Sequence, residues 1–158
     1  MSVTSLTIRH EVASRHELVS SSALRHLAEL WVSADVVIQF AALGGPFPWR
    51  TLAIDAPRFG DWGDIDPVDG KWHARPAALG AALGRATCPT LDHLILVIER
   101  PDADAATGLV ALIAQAPWLA KVEITVNFAL PAAATKALRA LGATRVTSTP
   151  GVTDPFED

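Results

Sequence analysis

The sequence predicts an α/β fold, a curved stack of about six parallel strands backed by short helices. An apolar pattern with residues at positions 1, 4 and 6 recurs along the 158 residues. The segments between these copies carry apolar residues at helical spacing, so strands and helices are expected to alternate. The chain is 50% hydrophobic and 19% charged, with a mean hydropathy of +0.28. Such a composition is typical of a folded domain rather than a disordered chain.

Each copy of the apolar pattern predicts one strand. Successive copies start 24, 22, 42, 28 and 24 residues apart. Four of these steps lie in the range of roughly 20 to 29 residues that a repeat of one strand and one helix occupies. A unit of this size cannot bury its own apolar stripe, so the copies are expected to stack around a continuous core. The copies start at Val3, Leu27, Trp49, Leu91, Leu119 and Ala143, and the long step contains an insertion.

Three helices are predicted between the later copies. The clearest covers residues 134–141, where apolar side chains recur at i, i+3, i+4 and i+7. Pro131 lies near its start and Gly142 just after its end, the usual places for these residues at a helix. The same spacing recurs within residues 79–86 and 106–116. All three segments lie between predicted strands, as a strand-and-helix repeat requires.

The copy that starts at Leu119 carries the most specific motif. It has apolar residues at Leu119, Val122 and Ile124 and an asparagine, Asn127, at its ninth position. The chain thereby resembles the leucine-rich-repeat proteins, and its repeat length is similar to that of the cytosolic, ribonuclease-inhibitor-like class. The resemblance covers residues 3 to about 149 and implies a solenoid that binds a macromolecule rather than catalysing a reaction.

Two alternatives stay open at this point. An ordinary doubly wound α/β domain has the same alternation of strands and helices, although the regular spacing of the copies favours the stack. The alternative function, which would accompany the doubly wound fold, is that of a small α/β enzyme or regulatory domain of unknown substrate.

The resemblance implies a binding surface on the concave strand face. Positions 1, 4 and 6 point inward, so alternation sends positions 3, 5 and 7 to the opposite face. An exposed cluster of Trp31, Ile95 and Val97 has the composition of a binding hot spot; alternatively these residues are core. If they are exposed, Trp31→Ala with Ile95→Asp should abolish binding and leave the melting temperature almost unchanged. The predicted partner-binding residues of this face are Trp31, Ala53, Asp55, His93, Ile95, Val97, Lys121 and Glu123.

The chain is predicted to consist of a domain over residues 1–149, with a loop inserted at 58–75, and a flexible acidic tail over 150–158. The loop is rich in glycine, tryptophan and aspartate and lacks helical or strand periodicity. Long loops in compact domains are often functional. Trp62 and Trp72 therefore form a second candidate contact surface, unless the loop is a lid packed by its own tryptophans.

Composition and motifs argue against other classes. A net charge of −4 and a pI near 5.7 disfavour nucleic acid as a partner. The start has no basic segment followed by an apolar run, and the longest apolar stretch, 94–98, is too short to span a bilayer. We therefore expect a cytoplasmic protein whose partner is another protein. Uncapped solenoid ends also allow self-association.

No catalytic residue, metal site or cofactor is predicted. The aspartates at 64, 66 and 69 resemble a calcium loop, but Arg75 stands where a bidentate glutamate is needed. The five histidines lack the paired spacing of a zinc site. The adjacent Asp92 and His93 are expected to point to opposite sides of a strand. Cys88, the single cysteine, is interpreted as core.

Overall fold

The described residues of the protein form a parallel β-sheet of six strands whose spatial order follows their order in the chain. The computed structural model describes residues 5–7, 28–42, 46–56, 76–86, 88–101 and 104–151. Each strand pairs in parallel with the next one. The predicted α/β class with parallel strands is therefore confirmed. The strands are β1 Ser5–Thr7, β2 Glu29–Ser33, β3 Thr51–Ala56, β4 His93–Ile98, β5 Glu123–Val126 and β6 Val146–Ser148.

Helices connect the later strands, and the three that the sequence predicts are confirmed. A further helix directly after β2 was not predicted separately; it buries Val36, Val37, Phe40 and Ala41 along one face. The helices are α1 Ala34–Ala42, α2 Pro76–Arg85, α3 Ala105–Gln115 and α4 Ala132–Ala140, with a 3₁₀ helix at Pro117–Lys121 before β5.

The main core lies between one face of the sheet and the helices. Strand residues such as Leu30, Leu52 and Leu94 share one buried cluster with side chains from all four α-helices. The four described helices thus pack on the same face. A doubly wound domain has helices on both faces and a strand order that reverses in the middle of the sheet. The described part of the chain has neither feature.

The end of α4 is closed by a glycine. Gly142 has a φ of +86°, a conformation that favours glycine because it has no Cβ. Its N–H donates to the Arg139 carbonyl at 2.9 Å, and the Ala143 N–H donates to the Leu138 carbonyl at 2.9 Å. This pair of bonds is the Schellman arrangement, which satisfies carbonyls left open at the helix end. The predicted role of Gly142 after this helix is confirmed.

The register of the strands follows the predicted copies at β1 to β4 and at β6, and departs from them at β5. Leu30 pairs with Leu52, and Leu52 pairs with Leu94, as the shared fourth position requires. Leu94, however, pairs with Ile124 rather than Val122. The frame predicted for the fifth copy is therefore wrong by two residues. The 3₁₀ helix causes the difference, because it occupies the chain up to Lys121 and delays the start of β5.

Several predictions lie outside the described residues. They concern the loop at 58–75 with Trp62 and Trp72, the aspartates proposed as a calcium loop, and the acidic tail beyond Gly151. Within the described ranges, none of the helices has the length and apolar character that crossing a membrane requires.

Candidate binding site

The second face of the sheet, opposite the helices, is defined here by the side chains of Trp31, Ala53, Ile95 and Thr125. Trp31, Ala53, Ile95 and Val97 form a separate buried cluster on it, and each is at most 7% exposed. The prediction of an exposed hot spot at Trp31, Ile95 and Val97 is therefore wrong, and the alternative that they are core is correct. Their apolar character contributes to stability.

Accessible polar side chains of the second face lie on the last three strands, and also at Glu29 on β2 and at Thr51 and Asp55 on β3. Glu123, Arg145 and Thr147 are exposed, and His93 at the start of β4 is partly exposed. Arg145 Nη2 lies 3.5 Å from Glu123 Oε2, and both side chains are about half exposed or more, at 60% and 48%. An ion pair so well solvated contributes little to folding. These groups are therefore free to exchange partners at a small energetic cost.

A small pocket opens on this part of the face. It has a volume of about 90 Å³ and lies between β4, β5 and the residue that follows β6. Its apolar side is formed by buried side chains, and its rim is formed by partly exposed polar ones. The residues that line it include His93, Ile95, Val97, Thr125, Asn127 and Thr149.

Two rim residues are joined by a hydrogen bond. His93 Nε2 lies 2.7 Å from Thr125 Oγ1, between neighbouring strands. Either the imidazole N–H donates to the hydroxyl, or the hydroxyl donates to the unprotonated ring nitrogen. A third rim residue, Thr149, donates its hydroxyl proton to the Val126 carbonyl at 3.2 Å. The oxygen of Thr149, a residue that lines the pocket, keeps acceptor capacity.

Asn127 supports the pocket from its buried side. Its Oδ1 accepts the N–H of Ile98 at 2.8 Å, and its Nδ2 donates to the Ile98 carbonyl at 2.9 Å. Asn127 is only 6% exposed. Its amide is therefore committed to holding the ends of β4 and β5 together rather than to a ligand.

The described residues neither bring Asp55 and His93 together nor assemble a metal site. Asp55 lies opposite Val97 in the register, whereas His93 lies opposite Thr51. Asp55 and His93 are thus four positions apart along the strands, about 13 Å. Among the described residues, no group of three or more metal-ligating side chains occurs.

Cys88 is not available as a nucleophile. It is a free cysteine in the main core. Burial raises the pKa of its thiol from 9.0 to about 11. Because the thiolate is the reactive form, the side chain is inert near neutral pH. The interpretation of Cys88 as core is confirmed.

The predicted partner-binding residues differ in their exposure and in their place in the fold. His93 and Glu123 reach the accessible part of the second face, whereas Ala53 is fully buried. Asp55 is partly exposed on β3. Lys121 is exposed but ends the 3₁₀ helix instead of lying on β5, so its predicted place on the strand face is wrong.

The predicted site omitted three residues that line the pocket. Thr125, Asn127 and Thr149 converge with His93 there. The register of β5 would have indicated Thr125, because a frame shifted by two residues places it beside Ile95.

Comparisons of this chain with protein-family models, with curated proteins and with solved structures find no match.

Proposed function

We propose that this protein is a leucine-rich-repeat-like solenoid that binds another protein, without catalysis, through the second face of its sheet. The proposal rests mainly on one observation. The sheet has sequential parallel strands with the four described helices on one side, and its other side carries accessible polar side chains on β4 to β6. Repeats stacked in this way present an extended strand surface that such proteins use for binding.

The composition of that surface suits a protein partner. Arg145 and Glu123 bring one charge of each sign, and Thr147 brings a hydroxyl beside them. A mixed polar rim around a small apolar centre is the usual composition of a protein interface. No described cluster of basic residues lies on this face to bind a phosphate backbone.

A small α/β enzyme is the second candidate. The observation in its favour is the bond between His93 and Thr125 at a pocket, since an imidazole in this position can take a proton from a hydroxyl. The volume of the pocket argues against an enzyme. Substrate pockets usually measure about 300 to 1,000 Å³, whereas this one measures about 90 Å³.

Affinity capture from a cytoplasmic extract tests the proposal with two charge reversals. Arg145→Glu changes the accessible part of the second face, and Arg139→Glu makes the same change on exposed α4. We expect a protein that is retained by the wild type and by Arg139→Glu and is lost from Arg145→Glu. Identical protein lists from all three samples contradict the proposal.

Light scattering of the purified chain adds a second readout. The ends of the stack, at β1 and β6, are where copies of a solenoid would associate. A mass that rises with concentration indicates self-association, for which these ends are the expected contacts. A monomeric mass together with a captured protein indicates a different chain as the partner.

A further inference from the structure

The volume of the pocket restricts the group that it can hold. An apolar cavity of about 150 Å³ accommodates one benzene molecule, which has six carbon atoms. In proportion, the pocket of about 90 Å³ accommodates about four carbon atoms. The isobutyl side chain of leucine has this size, whereas an aromatic ring exceeds it and a methyl group leaves most of the space empty.

The walls of the pocket favour a branched aliphatic group. Ile95 and Val97 provide its apolar side, and they are 7% and 6% exposed. Both side chains line the pocket while little of their surface is accessible to water. An aliphatic group that enters the pocket covers this surface and removes it from water.

The rim is arranged to bond a peptide group next to such a side chain. The Thr149 hydroxyl proton is directed to the Val126 carbonyl, so the oxygen of Thr149 is left to accept an N–H. In the tautomer in which His93 donates to Thr125, the Thr125 hydroxyl proton is left to donate to a carbonyl. One acceptor and one donor match the two polar groups of a peptide unit.

The charge of the residues that line the pocket favours a peptide over a free amino acid as its ligand. Of the described residues that line the pocket, His93 is the only one with a titratable side chain, and none is a carboxylate, lysine or arginine. Among the described lining residues, the ammonium and the carboxylate of a free amino acid would meet no opposite charge. A leucine within a polypeptide is neutral at both sides and avoids this desolvation cost.

We propose that the pocket receives a leucine side chain presented by the partner protein, with the adjoining peptide group bonded to Thr149 and Thr125. This inference rests on the proposed function, because it names the group by which the partner is recognised. The pocket then serves as the apolar anchor of the interface, and Glu123 and Arg145, which lie outside the pocket on the same face, serve as its polar border.

Four small probes test the assignment on the full chain by NMR, with the methyl groups of Ile95 and Val97 and the ring of His93 as reporters. N-acetyl-L-leucinamide is expected to bind saturably, with a dissociation constant on the order of 1 mM. N-acetyl-L-alaninamide, N-acetyl-L-tryptophanamide and free L-leucine are expected to bind at least about tenfold more weakly, because they lack the size or the neutral peptide group.

Two variants distinguish the pocket from the rest of the surface. Val97→Leu fills the pocket and should abolish the shifts, whereas Val110→Leu makes the same change on α3 and should not. Should Val97→Leu fail to fold, Thr149→Val removes the acceptor with little change of volume and should weaken binding about tenfold.

The outcomes separate the two proposals. Failure of N-acetyl-L-leucinamide to shift any reporter overturns the leucine assignment. Equal affinity for free L-leucine overturns the assignment to a polypeptide. Selective binding of the leucinamide, combined with a captured protein list that Arg145→Glu leaves unchanged, supports the chemistry of the pocket and contradicts the proposed function.

Discussion

Asn127, at the end of β5, bonds both backbone polar groups of Ile98, at the end of β4. The N–H of Ile98 donates to Oδ1 at 2.8 Å, and Nδ2 donates to the carbonyl of Ile98 at 2.9 Å. Both residues are buried, at 6% and 2% exposure. One side chain thus satisfies a donor and an acceptor that have no access to water, and it joins two strands beside the pocket.

Replacing Asn127 with alanine should lower the free energy of unfolding by about 2 to 4 kcal/mol, because a buried donor and a buried acceptor lose their partner together. Chemical denaturation measures this change. Thr147→Ala, an exposed position on β6, is the control and should change stability by less than about 0.5 kcal/mol. Equal effects of the two substitutions would show that the bonds to Ile98 do not stabilise the fold.

The burial of the second face predicts a graded loss of stability at Ile95. Ile95→Val should cost about 0.5 to 1.5 kcal/mol and Ile95→Ala about 2 to 5 kcal/mol, since each removes buried methyl groups. Thermal and denaturant unfolding report the series, with Glu123→Gln as the surface control. A loss below about 1 kcal/mol for Ile95→Ala would contradict the burial and restore the hypothesis of an exposed patch.

The contact between α2 and α3 requires glycine at position 80. A Cβ added to Gly80 would lie 2.7 Å from the Leu112 carbonyl oxygen and 2.8 Å from Gln115 Cβ. Because one of these atoms belongs to the backbone, the helices must separate. Gly80→Ala should destabilise the protein by about 1 to 3 kcal/mol, although alanine favours a helix by about 1 kcal/mol.

Ala78→Ser, on the exposed side of α2, is the control for this substitution and should change stability by less than about 0.5 kcal/mol. Both variants are compared by denaturant midpoint. A Gly80→Ala variant as stable as the wild type would mean that α2 and α3 adjust without cost.

Cys88 predicts a difference in reactivity between the folded and unfolded chain. Burial raises the pKa of its thiol to about 11 from 9.0. At pH 8 the thiolate fraction is therefore about 100-fold lower in the folded protein. Alkylation by iodoacetamide, followed by mass spectrometry, should be slow in buffer and fast in denaturant. Rapid labelling of the folded protein would show that the thiol is accessible.

The raised pKa of the Cys88 thiol also predicts how the stability of the protein changes with pH. Between pH 9.0 and about 11 the unfolded thiol loses its proton while the folded thiol keeps it. The folded state then binds more protons, so stability falls as pH rises through this interval. Cys88→Ala removes this contribution, and its stability should fall less steeply with pH than that of the wild type. Parallel curves would contradict the shift.

The error at β5 shows a limit of apolar patterns. Side chains alternate along a strand, so a slip of one residue exchanges the two faces, but a slip of two leaves every side chain on its original face. Val122, Ile124 and Val126 are all apolar. The pattern therefore cannot distinguish a frame centred on Val122 from one centred on Ile124. The 3₁₀ helix that ends at Lys121 decides between them.

The second face shows a different limit. Ile95 and Val97 are apolar, which is compatible with an exposed binding patch as well as with a second core. Sequence periodicity indicates the side of the strand on which a residue lies and carries no information about what covers that side. Only the burial of these side chains decides between the two hypotheses.

By itself, the sequence determined the alternation of strands and helices, the apolar residues that face the helices, and the glycine that ends α4. These features depend on interactions between residues a few positions apart, which a periodic pattern records. Only the tertiary structure decided the register of β5, the bonds of Asn127 to Ile98 and the meeting of His93 with Thr125. These contacts join segments separated by 29 and 32 residues, and the folding of the whole sheet brings them together.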